Sequence, residues 1–315
     1  MKKIKTMPQK KGMSIRRMKR YIPLYLMVLP GLIYLIVNNY MPMLGLALAF
    51  KKVNYSIGLL NSPWCGLQNF KFLFSTNDAF LFFRNTILYN LAFILLGNFL
   101  GVFVAIGLDA IHNKFLKKFS QVLILIPFLL STVIISYIVF AFLSGSNGFM
   151  NMTILPMLGI DPVNWYNKAG YWPVILILVY LWMTMGYSSI LYYSTLIGID
   201  KSYYEAASID GAGIKSQIMH ITLPSLKPTI IILILLAVGR ICYSDFGLFY
   251  QVPMNSGLLY STTQTIDTFV YRALLELNDI GRSTAGGFLQ SVLGFICVFT
   301  ANSLVSKYDK DSSLF

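Results

Sequence analysis

The stretch YYEAASIDGAGIKSQIMHITLP, residues 203–224, is a polar connection between two long apolar runs, and it separates two predicted membrane spans. Apolar runs of about 20 residues recur on both sides, and a helix of that length crosses the roughly 30 Å of bilayer hydrocarbon. Charged residues make up 12% of the 315 residues, against about 25% in soluble domains. The mean hydropathy of +0.65 agrees. The chain is therefore predicted to be an all-α, polytopic membrane protein.

Six membrane spans are predicted from the apolar runs. Gly97 and Gly101 in the second span form a small-xxx-small pair that would let another helix approach closely, although glycine is common in membrane helices and the pair can be a coincidence. Residues 1–20 are predicted to be a basic tail, and residues 21–315 the membrane domain. The six spans cover approximately residues 22–44, 86–111, 121–143, 172–197, 227–249 and 284–306.

Lysine and arginine in the connections predict the orientation of these spans. The first 20 residues carry nine of them and no acidic residue, so the N-terminus is predicted to be cytoplasmic in the cell membrane. Six spans then place the C-terminal tail, with Lys307 and Lys310, and the 198–224 loop in the cytoplasm as well. The net charge of +13 is thus a topology signal, and no nucleic acid partner is expected.

Within the 198–224 loop, local sequence predicts two short helices. Ser202 can cap a helix over Tyr203–Asp210, with Glu205 at its third position as in a capping box. Gly211 can reach backbone angles closed to other residues, so it is expected to end this helix. A second short amphipathic helix is predicted over Ile214–Ile221, after which Pro224 or Pro228 can begin the next span.

The apolar residues of this loop leave two interpretations open. Tyr203, Ile209, Ile214 and Met219 would be exposed on a cytoplasmic loop, which suits a helix that docks in the groove of a partner protein. The alternative is an interfacial helix that lies on the lipid headgroups.

One pattern in the loop resembles a known family. Glu205-Ala206-Ala207, then Gly211, then Ile221-x-Leu223-Pro224 resembles, at every position, the cytoplasmic coupling loop in membrane subunits of binding-protein-dependent ABC importers. In that family the loop docks into a cleft on an ATP-binding subunit and transmits the closure of the ATPase dimer to the pore.

The resemblance implies a role for each matched residue. Glu205 would contact the ATPase cleft, Ala206 and Ala207 would form the tightly packed face, and Gly211 would make the turn. Ile221, Leu223 and Pro224 would lead back into the membrane.

The resemblance covers the chain from about Tyr21 onward and is nearest to sugar permeases for oligosaccharides and polysaccharides. It implies a second, homologous permease subunit, two ATPase copies that hold the ATP and Mg²⁺, an extracellular or lipid-anchored binding protein, and no catalytic or cofactor site on this chain. The segments that carry the sugar assignment are 25–32, 62–70, 266–272 and 313–315.

Arg240 is the unusual residue of the fifth predicted span. An intramembrane arginine is costly unless it faces protein or water, so it is a candidate for the substrate cavity together with Tyr243 and Asp245. An ion pair with the partner subunit and snorkelling to the outer surface are the alternatives. Further candidates with aromatic, amide or hydroxyl groups suited to sugar are Asn90, Asn98, Tyr187, Tyr192, Tyr193 and Gln290.

Other function classes lack their motifs in this chain. No phosphate-binding G-x-x-x-x-G-K-[S/T] and no H-E-x-x-H or G-x-S-x-G occurs, which argues against an ATPase or an intramembrane enzyme. The three cysteines are far apart and predict no metal site. An ion-coupled secondary transporter is the alternative function, but it would need carboxylates within the spans, and Asp109 and Asp245 lie near span ends.

Overall fold

The computed structural model describes residues 15–75 and 77–308, so residues 1–14 of the predicted basic tail and the 313–315 motif lie outside the described residues. Within those ranges the chain is helical, and its only extended pairing is an isolated bridge between Lys51 and Trp64. The longer helices are Ile15–Leu35, Gln68–Ser75, Asn77–Ala110, Lys114–Leu129, Thr132–Leu143, Trp172–Ile197, Lys201–Ile209, Leu223–Val238, Phe246–Gln251, Ile266–Leu275 and Ile280–Tyr308.

Five helical runs in the described residues are long and apolar enough to cross a membrane. They agree with the first, second, fourth, fifth and sixth predicted spans, although several boundaries differ. The first span continues beyond Leu35 through a π-helical turn, Ile36–Tyr40, and then as far as Phe50. The five runs are Tyr21–Phe50, Ala79–Ala110, Ala169–Ile197, Ile214–Val238 and Ile280–Lys307.

The prediction of one continuous third span over residues 121–143 is wrong. Two helices, Lys114–Leu129 and Thr132–Leu143, meet there at an angle of 96°. Pro127 cannot donate the hydrogen bond that the preceding turn needs, and Leu130 and Ser131 are extended. The Ser131 hydroxyl accepts from the backbone N–H of Ile134, which caps the second helix. The third span is thus a bent pair.

The fifth span differs from its prediction at both ends. It starts at Ile214 rather than near residue 227, so the second short helix of the 198–224 loop is not separate from the span. A π-helical turn, Ile218–Thr222, precedes Pro224, and it accommodates a residue that cannot take part in regular α-helical bonding. The span then ends at Val238, well short of residue 249.

Small residues bring the spans into close contact. Gly101 is buried against the fourth span, where an added Cβ would lie 3.0 Å from the Ser188 Cβ and 3.1 Å from the Tyr192 ring. Gly97 faces Leu181 of the same span. The predicted packing role of the Gly97–Gly101 pair is therefore confirmed.

Gly186 sets the distance between the fourth span and the first half of the bent pair. A Cβ on Gly186 would lie only 2.0 Å from the backbone oxygen of Ile124. Because a backbone carbonyl in a helix cannot move aside as a side chain can, only glycine is compatible with this contact.

We expect Gly186→Ala to separate these two helices and to lower the yield of folded subunit severely. Gly107→Ala is the matched control, because Gly107 also lies in a membrane helix but has open space around its Cα. The measurement is the amount of monodisperse protein recovered after detergent extraction and size-exclusion chromatography. Equal yields from the two variants would contradict the packing described here.

Candidate functional site

The chain is not helical between the end of the fifth span and the next short helix. After Val238, residues 239–245 form turns and an extended segment, which we call the break. The Asp245 carboxylate ends the break by accepting from the backbone N–H of Leu248, 3.0 Å away, and so caps the helix Phe246–Gln251.

Side chains from other helices satisfy the backbone of the break. The Asn90 amide donates to the carbonyl oxygens of Ile241 at 3.0 Å and Tyr243 at 2.8 Å. The Gln290 amide donates to the carbonyl of Cys242 at 3.0 Å. Irregular backbone inside a membrane protein needs such partners, because hydrocarbon supplies none. The amides of the second and sixth spans thus hold the break in place.

Asp267 completes this support. Its Oδ2 accepts from the backbone N–H of Ser244 at 2.6 Å, from the Ser244 hydroxyl at 2.7 Å and from the Gln290 amide at 3.1 Å. Sequence reasoning had not singled out either Ser244 or Asp267. No short motif marks them, since they are 23 residues apart and meet only in the folded chain.

A cavity of about 870 Å³ lies beside the break. The second, fourth and fifth spans and the break itself line it, and aromatic faces and polar groups alternate on its wall. Tyr180 stacks on Phe93, and Tyr187 stacks on Phe128 with ring centroids 4.7 Å apart. The volume lies within the range of small-molecule sites.

The structure brings the predicted group of Arg240, Tyr243 and Asp245 together. Arg240, Tyr243 and Asp245 all line the cavity. Gln290 is 3% exposed and is not among the lining residues, because its amide is held by the break. Of the further candidates, Asn90, Asn98, Tyr187 and Tyr192 line the cavity and Tyr193 does not.

In the 198–224 loop, the first helix runs from Lys201 to Ile209 and is capped differently from the prediction. Asp200, not Ser202, is the N-cap, and its carboxylate accepts from the Ser202 backbone N–H at 2.9 Å. The predicted capping box with Glu205 is therefore wrong. The hydrogen bond from Ser202 favours the charged carboxylate and lowers the pKa of Asp200.

Gly211 makes the turn, as predicted. Its φ of +78° lies in the left-handed region, where glycine carries no steric cost. The backbone N–H of Ala212 donates to the carbonyl of Ala207 at 2.8 Å, and that of Gly211 donates to the carbonyl of Ser208 at 3.1 Å. This pair of bonds is a Schellman motif, which closes the first helix tightly.

Two side chains that sequence reasoning did not assign brace the loop. The Tyr204 hydroxyl bonds the Thr222 hydroxyl at 3.0 Å, which joins the first helix to the π-helical turn of the fifth span. The Gln217 amide donates to the Ser208 hydroxyl at 2.9 Å and the Ala212 carbonyl at 3.0 Å. The first helix is thereby fixed at an angle to the fifth span.

The braced loop presents an apolar surface that no other described residue covers. Glu205 and Ala206 are exposed, and Ala207 is half-buried. Ile209 is 87% exposed and Ile214 is 78% exposed. Of the other three residues of the pattern, Ile221 and Leu223 are half-buried, and Pro224 is exposed.

Comparison with known proteins identifies the family. Residues 97–309, more than half of the chain, match the family described as binding-protein-dependent transport system inner membrane component. The chain belongs to this family. It is a multi-pass membrane protein and the permease subunit of an ABC importer, and the resemblance drawn from the 198–224 loop is confirmed.

The relatives match nearly the whole chain. Protein LplB of Bacillus subtilis is 32% identical over 302 residues, which cover 96% of this chain and 94% of LplB. The polygalacturonan/rhamnogalacturonan transport system permease protein YteP of the same bacterium is 33% identical over 288 residues, which cover 91% and 89%. A crystal structure of a bacterial ABC transporter involved in the import of the acidic polysaccharide alginate matches with a TM-score of 0.85 and 29% identity, covering 93% of this chain and 98% of that one.

We expect Gln290→Leu to lower the free energy of unfolding by about 1–3 kcal/mol, because it leaves the Cys242 carbonyl buried without this donor. Thr300→Leu is the control, since Thr300 is exposed on the same helix and bonds only its own helical turn. The thermal midpoint of the purified subunit in detergent is the measurement. A midpoint for the Gln290 variant that equals that of the control would show that the break does not depend on this amide.

Gly211→Val should loosen the end of the first loop helix, because a left-handed conformation costs a side-chain-bearing residue about 1–2 kcal/mol. We expect the backbone amides at positions 211 and 212 to exchange hydrogen for deuterium faster in this variant than in the wild-type protein. Gly213→Val serves as control, as Gly213 has an ordinary φ of −70° and open space. Unchanged exchange in the Gly211 variant would count against the Schellman turn.

Proposed function

We propose that this permease subunit imports an oligosaccharide that an extracellular or lipid-anchored binding protein delivers. It works with a second, homologous permease subunit and a dimer of ATP-binding subunits. The main support for this proposal is the 198–224 loop, which is braced by hydrogen bonds and exposes apolar side chains. These properties suit a surface that docks on a partner protein. Glu205, Ala206 and Ala207 contact the ATPase cleft, and Gly211 keeps them at the required angle.

The loop and the cavity are connected by one continuous helix. The Tyr204–Thr222 bond attaches the first loop helix to the run Ile214–Val238, whose other end is the break beside the cavity. At 1.5 Å per residue, its 25 residues span about 37 Å. Movement of the loop by the ATPase dimer would therefore tilt the helix that forms one wall of the cavity. The cavity would then open alternately to the two sides of the membrane.

The nature of the cavity and the relatives support a carbohydrate substrate. Sugar rings pack their C–H faces on aromatic rings, and the cavity offers Tyr180, Tyr187 and Phe246 beside hydroxyl and amide groups. The names of YteP and of the galactooligosaccharide permease GanP, 28% identical over 282 residues, refer to saccharide transport. Arg240, Tyr243 and Asp245 are the proposed substrate contacts of this chain.

The chain has no enzymatic role in this proposal. ATP and Mg²⁺ are bound on the partner ATPase, and the permease is expected to contact the bilayer, the other protein subunits and its substrate. The 198–224 loop and both termini lie on the cytoplasmic side. The family match is to binding-protein-dependent transport and gives no support to an ion-coupled secondary transporter, so that alternative is not proposed.

Ala206→Trp tests the docking of the loop. Ala206 is exposed, so a larger side chain costs the isolated subunit little, but it would fill the space of a partner cleft. We expect the variant to fold normally, to lose co-purification of the ATPase and to lose more than 90% of ATP-driven oligosaccharide uptake by cells that express the whole complex.

The matched control is Leu116→Trp, which enlarges an exposed residue in the first turn of the helix Lys114–Leu129. It should retain both the ATPase and uptake. Full uptake with Ala206→Trp would reject the proposed docking face.

A further inference from the structure

We propose that the substrate of this importer is an acidic saccharide and that the Arg240 guanidinium binds a carboxylate of one of its uronate units. The inference rests on the proposed function and specifies its substrate class. It names Arg240 as the residue of this chain that distinguishes an acidic saccharide from a neutral one.

Arg240 occupies an exposed position in the cavity wall. Its side chain is exposed to the cavity, where it follows directly on the last turn of the fifth span. Within residues 15–75 and 77–308 the guanidinium makes no hydrogen bond and no ion pair. A full positive charge therefore faces the cavity, and its five donors make no hydrogen bond or ion pair within the described chain.

Asp245, the other charged side chain that lines the cavity, already accepts a hydrogen bond from the chain. Asp245 accepts from the backbone N–H of Leu248 as the cap of the following helix. Its carboxylate is thus partly balanced by the N-terminus of that helix. Of the two charged side chains that line the cavity, Arg240 is therefore the one whose hydrogen-bonding groups are all available to a ligand within the described chain.

Other polar residues that line the cavity also use their polar groups within the chain. The Asn90 amide is used on carbonyls of the break, and the Asn98 amide oxygen accepts from the Tyr192 hydroxyl. The Tyr243 hydroxyl bonds the Ser291 hydroxyl at 2.8 Å. The guanidinium is consequently the strongest donor that the cavity offers to a ligand, and the charge of the ligand, more than its hydroxyl pattern, would be recognised.

The location explains how the chain tolerates an unpaired arginine before substrate arrives. Arg240 stands at the C-terminus of the fifth-span helix, where the helix dipole presents partial negative charge and favours a cation. The planar guanidinium can then bind a carboxylate through two parallel hydrogen bonds. The exposed ring of Tyr187 lies in the same cavity and can pack on the sugar ring that carries the carboxylate.

Two of the relatives agree with this assignment. The name of YteP refers to polygalacturonan and rhamnogalacturonan, which contain uronate units, and the matching crystal structure is of an importer for an acidic polysaccharide. These are properties of those proteins. In this chain, the Arg240 guanidinium supplies the positive charge that such a saccharide needs.

The test compares uptake of a galacturonate oligosaccharide with that of its methyl ester, which has the same length and no charge. Cells express the whole complex with its binding protein, and the ratio of acid to ester uptake is measured with wild-type permease and with Arg240→Gln. The binding protein is the same in both cases, so its own preference cancels between the two ratios. We expect Arg240→Gln to reduce the ratio about 10-fold by lowering acid uptake, with ester uptake nearly unchanged.

Ala237→Glu provides a second test that keeps Arg240. Ala237 lines the cavity one turn before Arg240, so a glutamate there can pair with the guanidinium and neutralise it. This variant should also lose acid uptake selectively, whereas Ala237→Gln, which has nearly the same volume and no charge, should keep the wild-type ratio.

Each other outcome overturns the inference. Equal losses of acid and ester uptake in Arg240→Gln would make the arginine a structural or subunit-interface residue, and an unchanged ratio would remove it from substrate recognition. Wild-type uptake of neutral oligosaccharides alone would reject the acidic substrate and leave the proposed function standing. Absence of any ATP-driven saccharide uptake by the wild-type complex would reject the proposed function itself.

Discussion

The arrangement of this permease depends on one constraint, which is that a broken membrane helix must have its backbone groups satisfied by the protein. The fifth span ends at Val238, and the carbonyls of the break accept from Asn90 and Gln290 while Asp267 accepts from Ser244. These bonds join the second and sixth spans to the break. They also create a polar wall at the point where the cavity forms.

The same constraint gives the chain its mechanical continuity. The fifth span stops at the cavity, and its other end extends as a continuous helix into the 198–224 loop. Tyr204 and Gln217 then fix the first loop helix against this run. The proposed docking site for the ATP-binding partner and the proposed substrate site therefore lie at opposite ends of one helical run, so that movement of one end can be transmitted to the other.

Sequence patterns predicted the features that depend on neighbouring residues. Apolar runs gave the spans, and Gly211 was expected at the turn because only glycine accepts its φ without steric cost. The errors arose where a distant or competing group decides the outcome. Asp200 capped the loop helix in place of Ser202, and the span through Pro127 bent because Ser131 could start a new helix.

The sequence alone determined that this chain crosses the membrane several times and resembles the importer permease family, since composition and a motif of closely spaced residues contain that information. It also indicated Arg240 as an unusual charge. Only the tertiary structure decided that Gln290 supports the break and that Arg240 faces the cavity without an ion pair to any residue that the structure describes. The physical reason is that hydrogen-bond partners and cavity walls come from spans far apart in sequence, so a side chain's role depends on which groups the fold leaves unsatisfied near it.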